Sequence, residues 1–161
     1  MFKPLALIAV IAAFGSASAA DAPATTAQAE NEKVMAQFRD DLQAASADIV
    51  AKGITLSADQ AAKFWPLFKE YQAEQKVTID AQLKATQKYA DSLATVTDAV
   101  ALEYVGALLE RDQQIHDLRV KWLKKFQSVV PAGTAARVIQ IDRRLGIVAQ
   151  LKIAQKIPLV H

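Results

Sequence analysis

The chain of 161 residues contains no cysteine and only five glycines, five prolines and two histidines. Without cysteine it forms no disulfide framework and has no thiolate for catalysis or metal binding. With so few glycines it shows no phosphate-binding glycine loop, and it carries neither an HExxH motif nor a nucleophile elbow. Its acidic residues have no neighbouring histidine or serine arrangement that would give them a catalytic role. We therefore expect a protein that is not an enzyme and that uses no cofactor.

The first 20 residues are typical of an export signal. Lys3 supplies a basic start, residues 5–14 form an apolar run, and Ala17-Ser18-Ala19 offers the small residues that signal peptidase accepts. The apolar run is shorter than the roughly 18 residues of a membrane span. The sequence therefore predicts a signal peptide over 1–20, cleaved after Ala19 or Ala20, and a periplasmic protein. Without cysteine, it also excludes a lipoprotein.

Charge is balanced overall but not along the chain. The formal net charge is +2, which gives no reason to expect nucleic acid as a partner. Residues 21–110 carry 8 basic and 14 acidic side chains, whereas residues 111–161 carry 10 basic and 3 acidic ones. Such halves can attract each other within one chain or between two copies. The alternative is that these charges lie on solvated helix faces, where each pair contributes little.

Helical periodicity dominates the rest of the chain, and no strand-like alternation is present. Residues 21–30 are rich in alanine, threonine and proline, and we expect them to be flexible. A single all-α domain is predicted over 31–157, followed by a tail over 158–161. Its four helices are predicted at about 31–52, 57–93, 97–130 and 134–156, capped by Asn31, Ser57, Thr97 and Thr134. In the last helix, the spacing predicts that five apolar residues point inward: Val138, Ile141, Leu145, Val148 and Leu151.

Helices two and three are predicted to form a long antiparallel α-hairpin. Each is about 50 Å long at 1.5 Å per residue, and the turn between them is short. A bend is expected at Pro66, which removes a backbone hydrogen bond. Halfway along the hairpin the apolar stripe becomes polar, so we expect part of its surface to stay exposed or to pair with a second copy, giving an elongated dimer. The polar positions are Gln72, Gln75, Thr78, Gln82 and Thr86.

The start of helix two carries a short motif, Leu56-Ser57-Ala58-Asp59-Gln60. Ser57 and Gln60 have the spacing of a capping box, and Gly53 suits a left-handed residue that ends the helix before it. The motif resembles the LTxxQ motif of the Spy/CpxP-like periplasmic proteins, with serine in place of threonine. That family usually repeats the motif at the last helix, but residues 130–134 lack it, so the chain resembles a divergent member.

The resemblance implies a fold and a range of tasks. It implies a curved, cradle-like helical dimer. Members of that family include an ATP-independent chaperone, an envelope-stress inhibitor and metal-responsive sensor domains. Because these tasks differ, the likeness by itself does not choose between them.

Aromatic residues cluster just after the motif. Phe64, Phe68 and Tyr71 share one helix face at spacings of four and three residues, which is typical of a core. The alternative is an apolar patch that binds client proteins. Trp65 lies off that face and is the better candidate for contact with helix one or with a partner.

Two further groups of residues suggest binding. Asp112 and His116 are four residues apart on one helix face and can hold a metal, although two ligands rarely suffice and His161 lies on the tail. Helix four carries a basic face on which lipid headgroups or an acidic partner can dock. We expect Arg137 of that face to pair internally with Glu70, Glu74, Glu103 or Asp112. The face comprises Arg137, Gln140, Arg143, Arg144, Lys152 and Lys156.

Three functions follow as hypotheses. The first is a chaperone-like periplasmic protein of the envelope stress type that binds other envelope proteins as a homodimer. The second is a regulatory sensor domain that responds to a metal or binds a membrane signalling partner. The third is a structural envelope protein with no client. Peripheral membrane contact is the least favoured mode of association.

Overall fold

The computed structural model describes residues 24–160, and within that range the chain is all-α, as predicted. The signal peptide over 1–20, its cleavage after Ala19 or Ala20, and His161 lie outside the described residues. Four α-helices follow one another, with one 3-10 turn between the second and the third. They are α1 (Ala24–Gly53), α2 (Ala58–Asp91), the 3-10 turn Leu93–Thr95, α3 (Asp98–Gln127) and α4 (Ala132–Ala154).

The first helix begins earlier than the sequence predicts. It starts at Ala24 rather than Asn31, so residues 24–30 of the segment expected to be flexible are helical. Alanine, glutamine and glutamate, which are good helix formers, fill much of this stretch. The chain divides into two compact units between Ala36 and Gln37, inside α1. The second unit, 37–160 as described, contains every contact discussed below.

Two of the four predicted helix caps are confirmed and two are wrong, the first of these because Asn31 lies inside α1. Ser57 accepts a hydrogen bond from the Gln60 amide at 3.3 Å, and the Gln60 side chain accepts one from the Ser57 amide at 3.0 Å. Thr97 caps α3 by accepting from the amide of its third residue. Thr134 caps nothing, because α4 already begins at Ala132 after Pro131, whose fixed φ suits a helix start.

Gly53 is not left-handed, contrary to prediction. It is the last residue of α1, and no glycine among residues 24–160 has a positive φ. Its lack of a side chain serves a close approach instead. A Cβ at this position would lie 2.5 Å from Cδ1 of Ile141 in α4.

The core is an aromatic cluster at the capped end of α2. Phe64, Phe68 and Tyr71 are buried, as their spacing predicts, and they pack against Trp122 and Phe126 of α3. The rings of Tyr71 and Trp122 meet edge to face with centroids 5.8 Å apart. Such pairs add to the free energy gained from burying apolar area. This cluster therefore holds the start of α2 against the end of α3.

Further contacts join α2 and α3 outside the core. As the residue number of the α2 partner rises, that of the α3 partner falls. Glu74 contacts Lys121 and Trp122, and Lys88 pairs with Glu103. The rings of Tyr89 and Tyr104 stack with centroids 4.3 Å apart.

Three of the five polar residues of the α2 stripe are buried, so the prediction that this part stays exposed is wrong for them. Thr78, Gln82 and Thr86 are all at most 9% exposed. Gln82 exchanges two amide hydrogen bonds with Gln150 of α4, at 2.8 and 3.1 Å. The Gln82 amide therefore lies inside the protein with a polar partner, whereas the buried hydroxyl of Thr86 has no hydrogen-bond partner among the described residues.

Several apolar residues that continue the helical stripes are exposed instead. Val148 and Leu151, predicted to point inward, are 51% and 57% exposed. On α3, Leu102 and Leu109 are 73% and 66% exposed. No helix within residues 24–160 is long and apolar enough to cross a membrane.

Candidate functional site

The LTxxQ-like motif occupies a structural position. Leu56 is half-buried and packs on the aromatic core, while Ser57 and Gln60 satisfy backbone groups at the start of α2. Trp65 is also half-buried, and its ring meets those of Phe64 and Phe68 edge to face. These residues fix where α2 begins and what it packs on.

A buried polar network connects α2, α3 and α4 next to the core. Asp142 of α4 is 4% exposed and accepts hydrogen bonds from Arg119 Nε at 2.8 Å and from Gln75 Nε2 at 2.9 Å. Gln75 Nε2 also lies 3.3 Å from the Tyr71 hydroxyl. Burial, with the Asp142 carboxylate next in importance, raises the pKa of Tyr71, so this hydroxyl stays protonated. The network joins three helices through hydrogen bonds.

Gly146 makes room for this network. A Cβ on Gly146 would lie 3.0 Å from Nη2 of Arg119. The guanidinium therefore passes close to the backbone of α4 on its way to Asp142. The residues of this network were not singled out as a site in the sequence, although Asp142 sits four residues after Val138 on the inward face of its helix.

A second polar contact lies where α2 faces α3. Glu74 accepts hydrogen bonds from Lys121 and from the Trp122 indole at 2.9 Å. These two donors, Lys121 first, lower the pKa of Glu74. The indole nitrogen of the fully buried Trp122 thereby finds a partner at the edge of the core.

An open groove of about 370 Å³ runs between α3 and α4. Two of its arginines already hold carboxylates: Arg111 pairs with Asp112 at 2.6 Å, and Arg119 pairs with Asp142. The groove therefore offers little net positive charge to a ligand. It is lined by Arg111, Asp112, Arg119, Arg143, Gly146, Ile147 and Gln150.

The predicted metal pair receives no third ligand in the described part of the chain. Asp112 contacts Arg111, and His116 is exposed. The side chains that the structure describes include no group of three or more histidine, cysteine, aspartate or glutamate residues placed to hold a metal ion.

The basic residues of α4 lie on its exposed side. The expected internal pairing of Arg137 is wrong: Arg137 is exposed and forms no ion pair with any side chain that the structure describes. Three of its four expected partners pair with other cations instead, namely Lys121, Lys88 and Arg111. Arg143, Arg144, Lys152 and Lys156 likewise have no ion pair among the described residues, and all are exposed.

Two surfaces remain as candidates for binding. The first, here called the α3 apolar strip, consists of Leu102, Val105 and Leu109, which lie three and four residues apart on one face. The second, the α4 outer face, consists of Arg143, Arg144, Ile147, Val148, Leu151 and Lys152. No family model, curated protein or solved structure was found to match this chain.

Proposed function

We propose that this chain is a chaperone-like periplasmic protein of the envelope stress type, which binds unfolded segments of other envelope proteins on the α3 apolar strip. The single observation that carries the proposal is the exposure of that strip. A partly folded protein exposes apolar side chains, and a narrow apolar surface on a polar helix can cover them without recognising a particular sequence.

The strip brings three exposed apolar side chains together on one helix face. Leu102, Val105 and Leu109 are 73%, 41% and 66% exposed, and together they offer roughly 300 Å² of side-chain surface. Burying that area contributes about 7 kcal/mol before the costs of association are subtracted. The client buries apolar area of its own in the same contact, and the sum is partly cancelled by an association cost of roughly 4–15 kcal/mol. The expected result is weak, reversible binding, which suits a protein that must release its client.

The frame behind the strip supports the same proposal. We propose that α2 and α3 form a long antiparallel hairpin, supported by contacts that join Phe64 to Phe126 at one end and Tyr89 to Tyr104 at the other. The strip begins one turn into α3, at the end away from the aromatic core. A rigid helix presents its apolar side chains without collapsing them onto each other. Association of two copies remains a prediction, and it would double the number of strips.

Aggregation of an unfolding client, followed by light scattering, tests the proposal. Wild-type protein at a stoichiometric amount is expected to delay aggregation. The variant L102S/L109S removes most of the apolar area, so we expect at least a tenfold higher concentration for the same delay. The control is V77S on α2, which removes a side chain that is 71% exposed but lies outside the strip.

Two results would count against the proposal. One is a wild-type protein that leaves aggregation unchanged at every ratio. The other is a double variant that retains full activity while its helical circular dichroism and unfolding midpoint match the wild type. Equal loss in V77S would instead mean that any exposed apolar residue serves, and the strip would lose its assigned role.

A further inference from the structure

The α4 outer face has a charge pattern that differs from the rest of the protein. Helix α4 contains four basic residues and one acidic residue, Asp142. That single carboxylate is buried and already paired with Arg119. The solvent side of α4 is therefore exclusively basic or neutral, whereas the exposed sides of α2 and α3 carry both signs.

Apolar side chains lie among these cations on the exposed side of α4. At about 100° per residue, Ile147, Leu151 and Val148 are spread across the exposed arc, with Arg143 at one edge, Lys152 at the other and Arg144 between Leu151 and Val148. The three apolar residues are 54%, 51% and 57% exposed. Long basic side chains at the edges can reach outward while their methylene stems lie beside the apolar residues.

Exposed apolar side chains also follow the end of α4. Helix α4 stops at Ala154, and the chain then passes through Pro158 to Leu159 and Val160, which are 84% and 43% exposed. The Pro158 carbonyl lies 3.5 Å from the Tyr89 hydroxyl, so this segment follows the body of the protein. Apolar side chains therefore remain available beyond the last helical turn.

We infer that the α4 outer face docks on an anionic lipid surface. Apolar residues bordered by arginine and lysine match a bilayer boundary, where the apolar part enters the acyl region and the cations meet the phosphates. An acidic protein is a poorer match, because it would cover Ile147, Val148 and Leu151 without offering them apolar contacts. This docking is independent of client binding on α3, and it would hold the protein beside the membrane where envelope proteins emerge.

Co-sedimentation with vesicles tests the inference. The protein is purified after export, and its N-terminus is read by mass spectrometry, so that residues 5–14 are known to be absent. Wild type is expected to bind vesicles containing phosphatidylglycerol, to bind more weakly in high salt, and not to bind pure phosphatidylcholine. In R143Q/R144Q the partition coefficient onto anionic vesicles should fall about 30-fold, since each lost cation weakens attraction about fivefold.

A second variant and a matched control separate lipid docking from general charge attraction. I147S/L151S keeps every charge and should lose binding to anionic vesicles by at least tenfold. K63Q/K69Q removes two exposed cations from α2 and should leave binding within twofold of wild type. Circular dichroism and unfolding midpoints must match wild type for each variant.

Three outcomes would overturn the inference. These are no binding of wild type to anionic vesicles, an equal loss in K63Q/K69Q, or full binding by both α4 variants. Binding to soluble polyglutamate that matches binding to the vesicles, and that I147S/L151S retains, would assign the face to an acidic protein instead. R143Q/R144Q should suppress client aggregation normally in the absence of lipid, so failure here and failure of the proposed function are distinguishable.

Discussion

Neutralising Asp142 should destabilise the protein strongly. Asp142 is 4% exposed, and its two oxygens accept from Arg119 and Gln75 at 2.8 and 2.9 Å. In D142N the amide keeps the size of the side chain but leaves the guanidinium of Arg119, 18% exposed, without its counter-charge. Breaking a fully buried pair costs about 3–5 kcal/mol, and the remaining solvent contact of Arg119 places this loss at about 2–3 kcal/mol.

Urea unfolding followed by tryptophan fluorescence measures this loss, because Trp122 is fully buried beside the network. The variants D142N, R119Q and the double variant form a cycle, from which we expect a coupling of at least about 1 kcal/mol. D117N is the matched control: Asp117 is exposed, and its carboxylate contacts only Gln113 on the same helix. Its change should stay within about 0.5 kcal/mol. If D142N unfolds at the same urea concentration as wild type, the network does not join the helices.

Three further predictions concern stability. S57A should cost about 1 kcal/mol, because it leaves an amide at the start of α2 without its cap. Glu74 has a lowered pKa when folded, so its contribution is present above the ordinary glutamate pKa of about 4.3 and is lost as pH falls through the lower, folded value. E74Q should therefore be less stable at neutral pH and lose less stability on acidification. G106A should stabilise the protein by up to about 1 kcal/mol, since nothing lies within 4 Å of the new Cβ, whereas G53A meets Ile141 at 2.5 Å and should gain nothing.

Each of these has its own measurement. Thermal unfolding of S57A is compared with that of T55A, because Thr55 is a nearby exposed residue that caps no helix. Equal unfolding midpoints would show that the Ser57 cap does not stabilise the protein. The free energy of urea unfolding is measured for wild type and E74Q at several acid pH values. If Lys121 and Trp122 do not hold Glu74, the two plots of this free energy against pH are parallel. A G53A protein as stabilised as G106A would show that the approach of Ile141 is not tight.

Structural features that depend only on residues close in sequence were predicted well. The hydroxyl of Ser57 and the amide of Gln60 are three residues apart, so their capping box depends on almost nothing else in the fold. Phe64, Phe68 and Tyr71 share a face wherever the helix lies, and large aromatic residues gain most from burial. The LTxxQ likeness predicted the helix start, while the family it suggests remains a prediction.

Features that depend on distant residues were predicted poorly. Gln82 was expected at a surface because it is polar, but Gln150, 68 residues later, supplies its amide partner inside the protein. Val148 and Leu151 continue the apolar spacing of their helix. That spacing does not tell whether another helix covers them, and in the structure they are exposed. Gly53 was predicted to adopt a left-handed backbone conformation. The sequence does not show that Ile141, 88 residues later, approaches it closely in the folded protein.

Site-specific photo-cross-linking tests the central claim, that the α3 apolar strip binds unfolded clients, most directly. A photoreactive phenylalanine analogue is placed at Leu109 in the strip, or at Ala62, which is exposed on α2. Irradiation during the unfolding of a client should give cross-linked product from Leu109 and little from Ala62, and folded client should give neither. Equal cross-linking at the two positions, or none at Leu109 while aggregation is still suppressed, would contradict the account.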